Sequence, residues 1–65
     1  MKVKINLYEI RKSKKLSQRQ LAELAGVSKT EISNIENGVT SPSVATLCLL
    51  AQALDVDFYS LVSVE

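Results

Sequence analysis

The chain has 65 residues, of which 46% are hydrophobic, and its eight Lys/Arg and seven Asp/Glu leave a net charge of +1. This length corresponds to one small domain over residues 1–65. A single cysteine and the lack of histidine exclude an internal disulfide, a cysteine-based zinc site and the usual Ser-His or Cys-His nucleophile pairs. The sequence shows neither an apolar run of the roughly 20 residues that span a membrane nor a signal peptide. We therefore expect a non-enzymatic cytoplasmic domain without cofactors.

The charges are unevenly distributed along the chain. All eight basic residues lie within positions 1–29, which hold only two acids, whereas the other five acids lie within positions 30–65 without any base. Such asymmetry suggests a surface for an anionic partner such as nucleic acid. A solvated basic surface without a partner is the alternative, since the chain as a whole is almost neutral.

Three segments repeat one helix-start pattern, in which a capping Asn or Ser is followed three residues later by Glu or Gln between apolar flanks. These segments are 5–10, 16–21 and 27–32. The capping side chain can accept from the backbone N–H three residues on, and the later side chain can accept from the cap's own N–H. The pattern therefore predicts three helices. Their ranges are 7–14, 18–25 and 29–36.

The second half of the chain predicts two further helices. Ser43 can cap a helix over 44–53, and Asp57 can cap a short one over 58–62. The expected architecture is therefore an all-α, compact fold of five helices.

Gly26-Val27-Ser28 is the whole connection between the second and third helices. A short turn with a glycine between two short helices is typical of the helix-turn-helix motif. Gly26 permits the left-handed residue that ends the second helix, as Gly38 does after the third. An ordinary helical hairpin is the alternative, and the tight turn between two capping patterns disfavours it.

The third helix has two unlike sides. At about 100° per residue, Ser28, Ile32 and Ile35 share the side that must face the core. The opposite side is polar and free of acids. It carries Lys29, Thr30, Ser33, Asn34 and Asn37. Lys suits guanine, Asn suits adenine and the hydroxyl residues suit several base edges, whereas a merely solvated helix face more often carries Glu/Lys pairs.

Gln18 and Arg19 open the second helix, whose free backbone N–H groups favour a phosphate. Gln18 would orient that phosphate and thereby position the protein without reading sequence. The alternative for Gln18 is an ordinary exposed residue in the first turn.

A set of motifs spans positions 16–54. They are Leu16-Ser17-Gln18, Leu21-Ala22, Gly26-Val27-Ser28, Ile32-Ser33, Glu36-Asn37-Gly38, Pro42-Ser43, Leu47, Leu50-Ala51 and Leu54. Through them the chain resembles the phage-repressor/Cro-type helix-turn-helix family over nearly its whole length. The resemblance implies a five-helix domain that binds palindromic double-stranded DNA as a homodimer, with the third helix in the major groove.

The resemblance also implies the roles of individual residues. Base reading falls to Lys29, Thr30, Ser33 and Asn34. Phosphate contacts fall to Gln18, Asn37 and the backbone of Thr40 and Ser41.

Two features depart from the family pattern. Lys15 stands where members often have glycine, so we expect a left-handed lysine at some energetic cost. The loop 38–42 lacks the basic residues that many members carry there. Phosphate affinity must then depend on the other basic residues. They are Lys4, Lys12, Lys14, Lys15 and Arg19.

The family pattern pairs Glu36 with an arginine on the first helix, and Arg11 is the matching position. We expect a partly buried structural ion pair, because arginine suits carboxylates through its rigid bidentate fork. A DNA contact by Arg11 is the alternative.

The fourth helix carries an apolar stripe that should face the core. It consists of Val44, Leu47, Leu50, Ala51 and Leu54. Cys48 lies among these residues and is expected to be a small core residue. Redox sensing is the alternative, which the lack of a nearby base disfavours.

Leu49 falls outside that stripe, and the chain end also carries the apolar residues Val62 and Val64. Single exposed leucines are common and need no explanation. Together, however, these three residues are a candidate dimer contact.

The sequence therefore predicts a stand-alone, sequence-specific DNA-binding transcriptional regulator, most simply a repressor acting as a homodimer. An antitoxin or restriction-modification controller is a variant of the same class. A protein-interaction module of the same fold, for example an antitoxin-type partner with little or no DNA binding, is the alternative from another class. The polar, acid-free face of the third helix argues against that alternative, and control by an unknown protein partner stays open.

Overall fold

The structure is a computed structural model that describes residues 3–64. It contains four helices and a two-stranded antiparallel sheet that joins the two ends of the chain. In chain order these are β1 (Val3–Ile5), α1 (Leu7–Ser13), α2 (Gln18–Ala25), α3 (Lys29–Glu36), α4 (Val44–Leu54) and β2 (Val62–Val64).

Serine caps begin three of the helices, as the sequence predicts. Ser17 accepts a hydrogen bond from the Gln20 backbone N–H at 3.0 Å, and its own N–H donates to Gln20 Oε1 at 2.8 Å, which completes a capping box. Ser28 caps α3 and Ser43 caps α4 through the first kind of bond only, in which the serine Oγ accepts from the backbone N–H three residues later. The predicted starts of α2, α3 and α4 are therefore confirmed, and each fixes the direction in which its helix leaves the preceding turn.

The prediction of five helices is wrong, because residues 58–62 do not form a helix. Phe58–Ser60 makes a single 3-10 turn without a side-chain cap from Asp57, and the chain then enters β2. In the sheet, Val3 lies opposite Val64 and Ile5 lies opposite Val62. Both strands alternate apolar and polar residues, so pairing places all four apolar side chains on one face.

Asn6 does not cap α1, contrary to the prediction. Its side chain accepts no cap hydrogen bond and instead donates from Nδ2 to Ser63 Oγ at 2.7 Å. The Asn6 backbone N–H donates to the Leu61 carbonyl oxygen at 2.8 Å. Leu61, just before β2, and Ser63, within β2, thus supply partners in place of the local cap, so Asn6 ties the first helix to the C-terminal segment.

The core is formed by side chains from all four helices and from the segment before β2. Its largest fully buried members are Leu7, Leu21, Ile32, Leu50, Leu54 and Leu61. Full burial of one such side chain is worth about 1.5–3 kcal/mol. Because Ile32 and Leu21 come from α3 and α2, this core holds the two helices of the helix-turn-helix at a fixed angle.

Two residues of α4 lie outside the core, contrary to the prediction. Val44 is 67% exposed because it is the first residue of the helix and extends past the core edge. Cys48 is also exposed, because it lies about 100° around the helix from Leu47. The rest of the predicted stripe is buried. The core-facing side of α4 is therefore narrower than predicted and does not include these two residues.

Candidate nucleic-acid interface

The helix α3 presents one face to the core and one to solvent. Ile32 is fully buried and Ile35 is 4% exposed, and these two residues fix the rotation of the helix about its axis. On the other side Lys29, Thr30 and Asn37 are exposed, whereas Ser33 and Asn34 are half-buried. The predicted polar face therefore exists, with its two central residues partly sheltered by their neighbours.

Within this face the side chains are weakly engaged with each other. Asn37 Nδ2 donates to Ser33 Oγ over a long 3.4 Å, and no ion pair links Lys29 to any residue that the structure describes. Polar groups without strong internal partners are free to exchange water for base edges.

The loop after α3 lies beside this face. Thr40 and Ser41 line one groove with Thr30 and Asn34, so two predicted phosphate contacts adjoin two predicted base readers. Glu31, which the outer-face assignment omits, also lines this groove and is half-buried. Its carboxylate makes this groove less favourable to an anion than the polar residues alone would.

A second, basic groove lies between the end of α1, the α1–α2 turn and the starts of α2 and α3. Its basic side chains are Arg11, Lys12, Lys15, Arg19 and Lys29. Gln18 lines the same groove. The structure therefore brings Lys29 together with most of the basic residues that the sequence assigns to phosphate.

Two of the basic residues that the sequence assigns to phosphate affinity lie apart from the basic groove. Lys4 is on β1, where its Nζ is 4.0 Å from Glu9 Oε1, and it lines a different groove beside the sheet. Lys14 follows α1 and does not line the basic groove. The closeness of these basic residues in the sequence did not show which of them line the same groove.

Arg11 and Glu36 form the ion pair that the resemblance implies. Arg11 Nε donates to Glu36 Oε2 at 2.6 Å and Nη2 donates to Oε1 at 3.1 Å, so the pair is bidentate. The side chains are only 8% and 4% exposed. A buried charge needs such a partner, because isolation from water would otherwise cost several kcal/mol.

The remaining nitrogen of the Arg11 guanidinium contacts the turn before α2. Its Nη1 donates to the Leu16 carbonyl oxygen at 2.7 Å. Lys15, one residue earlier, has a φ of 59° and confirms the left-handed lysine expected at this position. One guanidinium therefore connects α1, the α1–α2 turn and the end of α3.

Gln18 is held by the same carboxylate. Its Nε2 donates to Glu36 Oε1 at 3.0 Å, and the residue is half-buried. Sequence reasoning placed Gln18 toward phosphate but missed this anchor, since the two residues are 18 positions apart and no local spacing connects them. The bond fixes the amide at the start of α2, where the free N–H groups of the helix lie.

These contacts also set the protonation of the pair. Burial tends to raise the pKa of Glu36, but hydrogen bonds from Arg11 and Gln18 outweigh it, so the pKa lies below its ordinary value. The hydrogen bond to Glu36 raises the pKa of Arg11. Both groups are therefore charged at neutral pH and neutralise each other, which leaves the lysines and Arg19 as the net positive charge of the basic groove.

The candidate dimer residues lie on separate elements. Leu49 is 44% exposed on the outer side of α4, Val64 is 64% exposed at the end of β2, and Val62 is half-buried in the sheet.

The described residues offer little else that carries chemistry. Residues 3–64 contain no group of three or more His, Cys, Asp or Glu side chains that could hold a metal ion. Over the same range, no helix is both long and apolar enough to cross a membrane.

Comparison with known proteins identifies the class to which this geometry belongs. Residues 7–61 match the family HTH_3, described as Helix-turn-helix. The chain therefore belongs to the HTH_3 helix-turn-helix family of DNA-binding transcriptional regulators, and the resemblance noted in the sequence is confirmed. This family consists of regulators, not enzymes, in agreement with the expectation from composition.

Two curated relatives and one solved structure illustrate the similarity. The chain is 40% identical over 57 residues to the HTH-type transcriptional regulator SutR of Escherichia coli (strain K12), covering 88% of this chain and 32% of SutR. It is 41% identical over 56 residues to the Immunity repressor protein of Bacillus phage phi105, covering 86% of this chain and 39% of that protein. The matches thus span less than half the length of either relative.

The solved structure is the restriction-modification controller protein C.AhdI from Aeromonas hydrophila. It superimposes with a TM-score of 0.81 at 35% identity, and the match covers 83% of this chain and 82% of that one. The similarity therefore includes both the helix-turn-helix and the elements that support it.

Proposed function

We propose that this chain is a repressor that binds palindromic operator DNA as a homodimer, with α3 in the major groove. The observation that carries the proposal is the outer face of α3. Lys29, Thr30, Ser33 and Asn34 project from a helix whose other side is locked in the core by Ile32 and Ile35. A rigid helix whose outward side chains are polar suits base edges, and the acid nearest to them, Glu31, lies at the edge of that face.

The basic groove supports the proposal because it adjoins the start of α2. A phosphate there would meet the N–H groups of α2, the amide of Gln18 and the guanidinium of Arg19. Asn37, Thr40 and Ser41 follow α3 and would contact the phosphates on its other flank. Contacts on both flanks of a recognition helix set its register on the duplex without reading bases.

The buried ion pair supports the same arrangement. Glu36 would repel phosphates if it were free at the end of α3, but Arg11 neutralises it at 2.6 Å. Its carboxylate instead holds Gln18 at the phosphate side of the interface. The acid thus positions a DNA-contacting residue and does not oppose DNA.

Dimerisation follows from size. A single module of this kind buries too little DNA surface for a tight specific complex, so two copies on two half-sites are expected. The relative from phage phi105 is named an immunity repressor, which favours repression. C.AhdI is named a restriction-modification controller, and this variant would use the same DNA-binding face.

Selection of bound sequences from a random DNA pool tests the proposal. We expect two symmetric half-sites about one helical turn apart. In parallel, binding to random duplex should weaken steeply with salt, because phosphate contacts release counterions. Failure to enrich any sequence, together with salt-insensitive or absent duplex binding, would contradict the proposal and favour a protein-interaction module.

A further inference from the structure

Tyr8 lies beside two cationic side chains of the same helix. It is 50% exposed on α1, and the centroid of its ring is 5.4 Å from Arg11 Cζ and 6.0 Å from Lys12 Nζ. Residues three and four positions apart lie on the same side of an α-helix. Both distances are within the roughly 6 Å over which a ring face attracts a cation. The ring of Tyr8 is therefore in position to attract both side chains.

The two cations differ in what else holds them. The Arg11 side chain is buried, and its guanidinium donates to Glu36 and to the Leu16 carbonyl oxygen. Lys12 is exposed, and none of the ion pairs within residues 3–64 includes it. Arg11 would therefore keep its place without the ring, whereas Lys12 depends on the ring for a nearby partner.

Lys12 also lines the basic groove, together with Gln18 and Arg19. It therefore lies over the ring and lines the groove in a single conformation. Tyr8 is not among the residues that line the groove, so its ring leaves the groove open to a ligand.

We propose that Tyr8 is a positioning residue for DNA binding, whose ring holds the Lys12 ammonium group at the basic groove for contact with a DNA phosphate. The inference rests on the DNA binding proposed above and adds a residue to that surface. A lysine side chain in water samples many rotamers and loses this freedom when it binds a ligand. Because the ring already restricts Lys12, less of this entropy remains to be lost when DNA binds.

A ring positions a cation without cancelling its charge. Arg19 Nε lies 3.7 Å from Glu23 Oε1, so a carboxylate offsets part of the charge of that residue. An aromatic face attracts the cation through its quadrupole and carries no net charge. Tyr8 therefore orders Lys12 and leaves the full positive charge of the lysine in the basic groove.

A double-mutant cycle on binding to random duplex tests the inference. Tyr8→Leu should weaken binding about two- to five-fold, which corresponds to an exposed cation–π contact. Tyr8→Phe keeps the ring and should bind as the wild type does. Combined with Lys12→Met, Tyr8→Leu should have no further effect, because the group that the ring positions is gone. Combined with Lys14→Met, it should keep its full effect, since Lys14 does not line the basic groove.

Tyr59→Leu is the matched aromatic control. Tyr59 is 82% exposed and packs edge-on against Phe58 with the ring centroids 5.5 Å apart. Within residues 3–64 no cation lies over its ring, so this variant should bind duplex as the wild type does. Circular dichroism and urea midpoints establish that each variant is folded.

The ε-methylene protons of Lys12 provide a measurement that does not depend on affinity. Protons above the face of an aromatic ring shift upfield in nuclear magnetic resonance spectra. In the free chain the Lys12 ε-protons should therefore lie upfield of those of Lys14 and return to the ordinary position in Tyr8→Leu. The upfield shift should persist when random duplex is added, because the ring and the phosphate hold the ammonium group together.

The outcomes separate this inference from the proposed function. An effect of Tyr8→Leu that disappears with Lys12→Met, together with an upfield shift that survives duplex binding, would support it. Equal effects of Tyr8→Leu with and without Lys12→Met would overturn it, since they indicate a role in stability alone. Loss of the upfield shift on the duplex, or a Tyr8→Phe variant as weak as Tyr8→Leu, would also overturn it. A wild type that binds no duplex would contradict the proposed function as well, whereas normal wild-type binding with an unchanged Tyr8→Leu affinity would overturn this inference only.

Discussion

Glu36 accepts hydrogen bonds from two helices through one buried carboxylate. Arg11 donates from α1 and Gln18 donates from α2, while Glu36 itself ends α3. Because burial makes the charge costly without partners, removal of one partner affects all three helices. At this scale the structure explains why an acid is tolerated beside a surface proposed for DNA.

Glu36→Ala should lower the free energy of unfolding by about 3–5 kcal/mol, because it leaves the Arg11 charge buried and unpaired. Glu31→Ala is the control, since Glu31 has no ion pair with a described residue. Its backbone N–H donates to the Ser28 cap, and this bond does not need the carboxylate. Urea midpoints of the two variants give the comparison. Equal midpoints would show that the ion pair contributes nothing to stability.

The pKa of Glu36 predicts an acid dependence of stability. Because the folded-state pKa is below the ordinary value of 4.5, the stabilisation from this carboxylate is complete above that value. It is lost as the pH falls through the folded pKa. Glu36→Gln should therefore be less stable than the wild type at pH 7, and the difference should shrink below about pH 4.5.

Urea denaturation from pH 7 to pH 3 measures this dependence. Glu23→Gln, which alters a carboxylate that is 72% exposed, serves as the control and should follow the wild type. A constant difference between the wild type and Glu36→Gln across this range would refute the assignment.

The elements show which structural features local sequence determines. The Ser17, Ser28 and Ser43 caps bond to N–H groups three residues away, so the capping pattern alone located α2, α3 and α4. The sheet pairs residues such as Val3 and Val64 from opposite ends of the chain. No local pattern contains that information, and Val62-Ser63-Val64 was therefore assigned to helix and tail.

The turn between α1 and α2 contains a lysine with a φ of 59°. A side chain in this conformation costs about 1–2 kcal/mol. Glycine would remove this cost, but its greater freedom in the unfolded chain would cancel part of the gain in stability. Lys15→Gly should therefore be more stable than Lys15→Ala by about 1 kcal/mol, since both lose the charge but only glycine relieves the strain. Thermal unfolding of the two variants tests this, and a less stable glycine variant would contradict it.

Asn6 distinguishes a tertiary contact from a cap. Asn6→Ser retains a capping group but is too short to reach Ser63, whose Oγ accepts from Asn6 at 2.7 Å. We expect a loss of about 1 kcal/mol in the free energy of unfolding, close to that of Asn6→Ala. Full stability of Asn6→Ser in denaturant titrations would mean that capping is the main contribution of this residue.

Across the whole molecule, the surfaces differ in charge and in how far the sequence predicted them. Helical periodicity identified the outer face of α3, because Ile32 and Ile35 fix its rotation. It could not show that Lys29 from α3 joins Lys12 and Lys15 in one groove, nor that Gln18 is anchored on Glu36. These arrangements depend on the packing of three helices, which no single helix encodes.

In the proposed complex, α3 reads bases and the start of α2 contacts phosphate. Asn34 lies on α3, whereas Arg19 is on α2 with its side chain 81% exposed in a loose pair with Glu23 at 3.7 Å. A base-reading side chain contributes about 1–3 kcal/mol at particular base pairs, whereas a phosphate contact lowers affinity for all sequences and changes the salt slope by about one.

The most direct measurement is the affinity of Asn34→Ala and Arg19→Ala for the selected operator, its single-base variants and random duplex at two salt concentrations. Asn34→Ala should relax preference at one or two base pairs and leave random-duplex binding unchanged. Arg19→Ala should weaken binding to every duplex alike and reduce the salt slope. Unchanged base preferences in Asn34→Ala together with altered preferences in Arg19→Ala would contradict the claim, since the reading and positioning roles would then belong to the opposite helices.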